Sequence, residues 1–495
     1  MKPFDFKLHA KTQAVTLFSV LMCSHGNAWA QQKAQSMNAS AAEAGKYNVL
    51  FIVADDLNCD MGCFDDPIVK TPNLDKLRSN AVRFNNNYCQ YPFSGPSRAS
   101  FLTGYLPEHT GVTDLVANFR DNVPAAVTLP ELFKKNGYFT ARVGKVFHAG
   151  VPNDIGKPGK DDPQSWTDTF NPIGIDKTQE DRVINYTPQR HLGSALSFMM
   201  TEGSDDEHTD AIGANIVCSM IKEHKDEPFF IAMGFYRPHS PYVAPKKYFD
   251  LYPMEQITLP EVPEDDWDNK PLYERFTDPL NWGVPEDKLR EVKRAYYASI
   301  SFMDAQVGKL LDTLEEEGLA DKTIIVFCSD HGYNLGQHGM WMKQALFEHT
   351  TRTPLIIAVP GITRGKGQTS RVIEMLDVYP TLAEVCGLTG TPRDLDGRSL
   401  LPLLKDTEAR WEGAAYSQVL RVANPSLTYM KKGERAMGRS IRVDRYRYTE
   451  WDEGAKGGEL YDYEADPNEF NNLYDNPKYK ALQAELRAKL HAKYE

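Results

Sequence analysis

The sequence predicts an α/β sandwich, a mostly parallel sheet covered by helices on both faces. Three observations lead there. Short continuous apolar runs rich in β-formers recur at 47–54, 139–143, 228–234, 323–327 and 354–359, and such runs belong to strands buried on both faces. Helix-like segments lie between them, at 73–79, 129–136, 211–224, 289–317 and 376–386, which is the alternation of an α/β domain. Acidic residues stand directly after two of the runs, where open α/β sheets carry their sites.

The remaining segments follow in chain order. Lys2, Lys7 and Lys11 precede a short apolar stretch at 14–22, and Ala28-Trp29-Ala30 gives an A-x-A cleavage site. Residues 1–30 therefore read as a signal peptide, and the apolar stretch is too short to span a bilayer. Cys23 follows Met22, which is not the small residue a lipoprotein signal uses, so soluble export to the periplasm or medium is expected. Residues 31–46 are Ala/Gln/Ser-rich and read as a linker. The main domain is then expected over 47–407. Two Pro-, Asp- and Trp-rich stretches interrupt it, at 150–170 and 252–288. Long loops of this kind shape the mouths of α/β sites. From 408 to 495 the texture changes. Runs at 415–420, 440–443 and 446–451 read as antiparallel strands, and a helix at 478–493 follows Pro477, a residue suited to a helix start.

Composition limits the function. With 495 residues, one simple core is too small, and a large domain plus a smaller one is expected. At 41% hydrophobic and 25% charged residues the chain is an ordinary globular protein. Its formal charge is −12, and removing the signal peptide takes away three Lys and one Asp, leaving −14. That balance makes the chain a poor candidate for nucleic-acid binding, which needs a basic surface. An anionic substrate would need locally placed cations. Six of the seven cysteines survive cleavage; most read as small buried residues, and Cys59–Cys63 is too weak a pair for a zinc site.

The candidate chemistry lies just past strand ends. Asp55-Asp56 follows the first run, and Ser329-Asp330-His331-Gly332 follows the run at 323–327. Carboxylates at two neighbouring strand ends can meet on one hard cation such as Ca²⁺ or Mg²⁺. Ser94-Gly95-Pro96-Ser97-Arg98 opens a helix with Ser94 at its start, where backbone amides favour an anion and Arg98 can face it. The run at 139–143 delivers Lys145 and His148. The run at 228–234 delivers Arg237-Pro238-His239, and His338 and Lys343 follow the second acidic cluster.

These motifs resemble the sulfatase family. Residues 94–98 fit its Cys/Ser-x-Pro-Ser-Arg pattern, Gly104 continues it, and 137–148 fits the family's second signature. Asp55-Asp56 and Asp330-His331-Gly332 sit where sulfatases hold calcium, and the resemblance runs from about 47 to 474. Residues 144–148, 335–339 and 440–442, with His rather than Asn after Asp330, are similar to the iduronate-2-sulfatase branch. The resemblance implies an alkaline-phosphatase-like sandwich with a large mixed, mostly parallel sheet and a small C-terminal α+β domain bearing an antiparallel sheet. It implies that Ser94 is oxidised to formylglycine (3-oxoalanine) by a radical maturase. It implies that Asp55, Asp56, Asp330, His331 and the modified Ser94 bind one Ca²⁺. Arg98, Lys145 and Lys343 would neutralise the sulfuryl group, His239 with Lys343 would protonate the leaving oxygen, and His148 would act as base. Tyr333 and His338 would contact the substrate.

The implied reaction is hydrolysis of an O-sulfate, a 2-O-sulfate removed from a chain end, on a sulfated glycan such as a glycosaminoglycan, ulvan or carrageenan. Phe93 is bulkier than the family pattern, and Tyr333 and Gln344 replace residues of the iduronate branch. Two other functions compete. A phosphoesterase of the same superfamily would use Ser94 directly but needs a second metal cluster. A sulfated-glycan binder would leave Ser94 unmodified and has no use for both an acid and a base.

Overall fold

The computed structural model describes residues 46–494. The expected signal peptide, Cys23 and all but the last residue of the expected linker fall outside the described residues.

Among the described residues, eight strands form the central sheet. In chain order they are β1 (Asn48–Ala54), β2 (Val82–Tyr88), β3 (Phe139–Gly144), β4 (Asp168–Phe170), β5 (Phe229–Gly234), β6 (Thr323–Ser329), β7 (Leu355–Ala358) and β8 (Gly367–Glu374). Their order across the sheet is β8-β2-β7-β6-β1-β5-β3-β4. β7 runs antiparallel to both neighbours, and every other pairing is parallel.

Every residue of β1 is buried, and its side chains alternate between two cores. Leu50, Ile52 and Ala54 face α1 (Pro72–Arg78), helix α4 (Thr209–Glu223) and helix α5 (Glu286–Glu316). Phe51 points the other way and stacks on Phe101 of α2 (Ser94–Thr103) and on Phe230. Phe230 in turn meets Phe133 of α3 (Leu129–Lys135). Helices therefore cover both faces, as the alternation of runs predicts.

The five predicted central strands match β1, β3, β5, β6 and β7 to within two residues at either end. The predicted helices match α1, α3, α4, α5 and α6 (Val378–Val385) to within three, the last preceded by a 3₁₀ turn at Met375–Asp377. Three strands of the central sheet escape the sequence pattern. β2 carries Asn85, Asn86 and Asn87, which interrupt its apolar run and bond across to Ser370 and Thr353. β4 is wholly exposed, and β8 is exposed over much of its first half, because both lie at sheet edges.

The C-terminal region holds a four-stranded antiparallel sheet in sequential order, β9 (Ala414–Val422), β10 (Arg435–Val443), β11 (Tyr446–Trp451) and β12 (Gly458–Asp462). β10 begins five residues before its predicted start, and β12 completes the sheet. The last helix, α7 (Lys480–Tyr494), sets Leu486 and Leu490 against Ile441, Tyr448 and Leu460. The cysteines at 59, 63, 89, 218, 328 and 386 are all free. No helix among the described residues is long and apolar enough to cross a membrane.

Strands β3 and β5 approach closely where they end. Gly144 has φ +73°, and a Cβ there would lie 2.2 Å from the Gly234 carbonyl oxygen; one on Gly234 would lie 2.1 Å from the Lys145 carbonyl. Gly144→Ala is therefore expected to cost about 2–4 kcal/mol, read as a lower urea midpoint. An unchanged midpoint would show that this contact can relax.

Candidate active site

The sheet register places the site. Ala54 pairs with Ser329, Val53 with Gly234, and Gly234 with Gly144, so four neighbouring parallel strands end almost in line. The next residues emerge together at one sheet edge: Asp55 and Asp56 from β1, Asp330 and His331 from β6, Lys145 from β3. The turn after β5 adds His239. The side chains of Asp55, Asp56, Asp330, His331, Lys145 and His239 are all buried.

Helix α2 closes this edge from one side. All ten of its residues are buried, including Arg98, which is inaccessible to water. Arg98 joins the two acidic clusters: Nε donates to Asp330 Oδ2 at 2.9 Å and Nη2 to Asp55 Oδ1 at 3.0 Å. Nη1 donates to the carbonyls of Lys145 and Val146 at 2.6 and 2.9 Å, tying in the end of β3. The Ser97 hydroxyl donates to the Asp330 carbonyl. Ser94, at the start of the helix, has its Oγ 3.2 Å from Asp55 Oδ1 and 3.1 Å from His331 Nε2. Lys145 Nζ donates to Asp55 Oδ2 at 2.6 Å, and Lys343 Nζ donates to Asp56 Oδ1. The three carboxylates thus meet three cations, Arg98, Lys145 and Lys343.

Charge and burial set the proton positions. Burial alone would raise Asp55, but Lys145, His239, Arg98 and Lys343 outweigh it and hold the carboxyl well below its ordinary value. Burial likewise opposes ionisation of Asp330, and Arg98 with His331 overcomes it. For Asp56, burial wins: with Asp55 and Asp330 adding to it against Lys343, the carboxyl is pushed up to about 7. Burial lowers His331 to about 4. Its Nδ1–H donates to the Gly332 carbonyl at 2.9 Å, which can only accept, so the Nε2 lone pair faces inward. That lone pair stands 3.4 Å from Asp56 Oδ1 and 3.5 Å from Asp330 Oδ2.

This donor set fits a metal ion. Ligand atoms of Asp56, Asp330 and His331 lie within 4.8 Å of one another, as do those of Asp55, Asp56 and His239. Carboxylate oxygens predominate, and a bare imidazole nitrogen aimed at two carboxylates is unfavourable until a cation sits between them. Such a donor set suits a hard divalent cation.

Above Ser94 opens a cavity of about 280 Å³. His148, His239 and Lys343 line it with Ser94. His148 Nδ1 is buried without a hydrogen-bond partner, and burial with the nearby Lys145 charge lowers this imidazole to about 2. Burial and then Lys343 hold His239 well below its ordinary value. Its Nδ1–H donates to the Ser240 carbonyl at 2.6 Å, which leaves Nε2 facing Asp56 Oδ2 at 3.6 Å.

Ten of the twelve residues singled out in the sequence therefore converge: Ser94, Arg98, Lys145, His148, His239, Lys343, Asp55, Asp56, Asp330 and His331. Tyr333 and His338 do not reach the cavity. Tyr333 is fully buried, stacked on Tyr296 with its hydroxyl 2.6 Å from that of Tyr242. His338 donates from Nδ1 to Asp266 Oδ2 at 2.9 Å and stacks on Phe347. Neither side chain is open to a substrate in this structure, because aromatic packing and the Asp266 bond have already taken up their surfaces. Conversely, the cavity wall includes His191, Asn153 and Phe276, which the sequence did not single out. Asn153 and Phe276 belong to the two long loops expected to shape the mouth. His191, bonded to Asn153 at 3.0 Å, lies in a polar segment with no motif around it.

Comparison with known proteins points the same way as the site. The family model described as Sulfatase matches residues 47–388, and that of N-sulphoglucosamine sulphohydrolase, C-terminal, matches 336–495. A protein named Sulfatase from Formosa agariphila is 34% identical, covering 90% of this chain and 87% of its own. Human Iduronate 2-sulfatase is 32% identical, covering 87% of this chain and 91% of its own. The solved structure of a 2-O GAG sulfatase superposes with a TM-score of 0.67 at 25% identity, covering 90% of this chain and 92% of its own.

Arg98→Met leaves Asp55 and Asp330 buried without their shared partner. Removing one member of such a set costs about 3–5 kcal/mol. Both carboxyls are held below their ordinary value of 3.8 in the fold. Stability from such a group is present above the unfolded value and is lost as pH falls through the folded one. Urea unfolding should therefore show the full deficit at neutral pH and a narrowing gap below about pH 4. A deficit independent of pH would argue that Arg98 acts through packing alone.

Proposed function

This chain belongs to the sulfatase family and is a sulfate-ester hydrolase, and from that premise we propose that it removes a 2-O-sulfate from the end of a sulfated glycan through a formylglycine made from Ser94. The observation that carries this reading is the position of Ser94 Oγ. It stands between Asp55 and His331 at the floor of a cavity whose wall holds His148, His239 and Lys343. The substrate is a glycosaminoglycan or an algal polysaccharide such as ulvan or carrageenan, and a cavity of about 280 Å³ suits one terminal sugar.

Asp55, Asp56, Asp330, His331 and residue 94 would hold one Ca²⁺, which supplies Lewis-acid polarisation of the sulfate oxygens. Hydrated formylglycine offers two geminal hydroxyls, one to attack sulfur and one through which the aldehyde is regenerated. The chain's own charges prepare the site. Asp55, Asp56 and Asp330 are balanced by Arg98, Lys145 and Lys343, so a bound dication leaves a net positive floor for an anionic ester. Arg98 holds Asp55 and Asp330 in register. Lys343 Nζ, donating to Asp56 and lining the cavity, stands where it can also meet the sulfate.

His148 has a nitrogen without a hydrogen-bond partner, so it can take a proton from the hydroxyl of residue 94 once the anionic sulfate group offsets the Lys145, Arg98 and Lys343 charges that oppose its protonation. His239 carries its resting proton on Nδ1, so Nε2 can serve as an acid only once the ring is protonated. An anionic ester beside Lys343 and Lys145 offsets the two charges that oppose that step. Nε2 then gives its proton to the leaving sugar oxygen. Maturation requires a radical maturase. The N-terminal charge and apolar pattern supports export to the periplasm or medium.

Ser94→Ala should abolish sulfate release while leaving binding of a sulfated oligosaccharide within a few-fold of the parent. The active parent should weigh about 2 Da less than the mass of its processed, unmodified sequence, the loss of two hydrogens. Turnover by the Ala variant, or an active parent of unmodified mass, would sink the formylglycine mechanism. Dialysis against a chelator should lower both Tm and activity, with Ca²⁺ restoring Tm at lower concentration than Mg²⁺. A Tm indifferent to chelation and to added Ca²⁺ would remove the metal from the account.

A further inference from the structure

His239 has to present Nε2 at one height and angle, yet it sits in a turn after β5 rather than on a strand or helix. A turn must be held by other groups if it is to place a proton within tenths of an ångström. Arg237, two residues earlier, does not point into the cavity. It is 1% exposed and folds back beneath the turn. Its Nη1 donates to the His239 carbonyl at 2.8 Å and to the Pro241 carbonyl at 2.6 Å, so one nitrogen grips the backbone on both sides of Ser240. Ser240 supplies the carbonyl that takes the Nδ1 proton of His239. The guanidinium therefore fixes the peptide group that sets both the ring's orientation and its tautomer.

Arg237 is itself anchored. Nη2 donates to Asp176 Oδ2 at 2.7 Å, and both groups are buried. Asp176 is held through Oδ1, which accepts from Thr209 N at 2.9 Å and Thr209 Oγ1 at 2.6 Å at the start of α4. Asp210, the next residue of that helix, accepts the backbone N–H groups of Tyr236 and Arg237, each at 2.9 Å. The turn is thus bolted to the first turn of a 15-residue helix by two carboxylates. Burying this ion pair is costly, and a neutral side chain would pack the space at lower cost. A planar fork that reaches two carbonyls and one carboxylate at once is something lysine cannot reproduce.

We propose that Arg237, anchored by Asp176, is the positioning residue for the general acid His239. It acts on leaving-group protonation and touches neither the sulfate nor the metal ligands. This rests on the reading of His239 as the acid. The signature of such a role is dependence on the leaving group. A sugar alkoxide needs a proton as the S–O bond breaks, whereas 4-nitrophenolate leaves without one.

The test compares Arg237→Gln, Arg237→Lys, Asp176→Asn and His239→Ala in the matured full-length enzyme. The substrates are 4-nitrophenyl sulfate and a 2-O-sulfated uronate disaccharide, and thermal melts check each fold. Arg237→Gln is expected to lower kcat on the disaccharide about 100-fold with KM little changed, and to lower kcat on 4-nitrophenyl sulfate by only a few-fold. Arg237→Lys should fall between, and Asp176→Asn should repeat the pattern with the arginine intact. His239→Ala should show the same split, more deeply. Equal losses on both substrates, or a loss confined to KM, would overturn the positioning role. A His239→Ala variant with no split would overturn the acid assignment itself. A split in His239→Ala alone would leave that assignment standing and remove Arg237 from it.

Discussion

Three carboxylates buried at the ends of two adjacent parallel strands are the constraint on which the rest depends. Asp55, Asp56 and Asp330 cannot stay charged in a dry interior without partners, and much of the surrounding architecture supplies them. Helix α2 brings in Arg98, β3 ends on Lys145, and the segment after Trp341–Met342 brings Lys343. The register that lines up Ala54, Ser329, Gly234 and Gly144 is what lets these groups meet. A one-residue slip would turn Asp55 or Asp330 to the opposite face.

Function follows from the same balance. In the proposed reading a bound dication would turn this balanced floor positive, and the cavity above it is lined by His148, His191 and His239. Burial holds His148 and His239 below the ordinary imidazole value. The C-terminal sheet takes part from behind. Arg421 of β9 donates to the carbonyls of Gln344 and Tyr273, at 2.5 and 2.8 Å, so it braces the segment carrying Lys343 and the loop carrying Phe276.

Much of this was legible in the sequence because burial on both faces leaves a local mark. β1, β3, β5, β6 and β7 read as unbroken apolar runs, and the charged residues after four of them are the site. The edge strands β4 and β8 carry no such mark, since β4 and much of the first half of β8 meet water, and the asparagines of β2 hide a buried strand behind polar side chains. In the candidate site, the residues around Ser94 were legible because they cluster in short motifs. The cavity wall above Ser94 was not. His191, Asn153 and Phe276 come from separated loops and meet only through folding. Tyr333 and His338 lie in the motif segment after β6, yet packing turns them into the interior, a choice that spacing along the chain does not encode.

In the proposed function this floor cleaves a sulfate ester and the wall above it selects a 2-sulfated terminal sugar. The most direct measurement is sulfate release by the matured enzyme across defined oligosaccharides: 2-sulfated uronate ends from heparan and dermatan, fragments of ulvan and carrageenan, and phosphate-ester counterparts of each. Release is expected from a terminal 2-O-sulfate, with little from the phosphate esters. Release only from another ring position would contradict the assigned specificity while leaving the sulfatase intact. Faster cleavage of the phosphate esters would contradict the account of the floor itself.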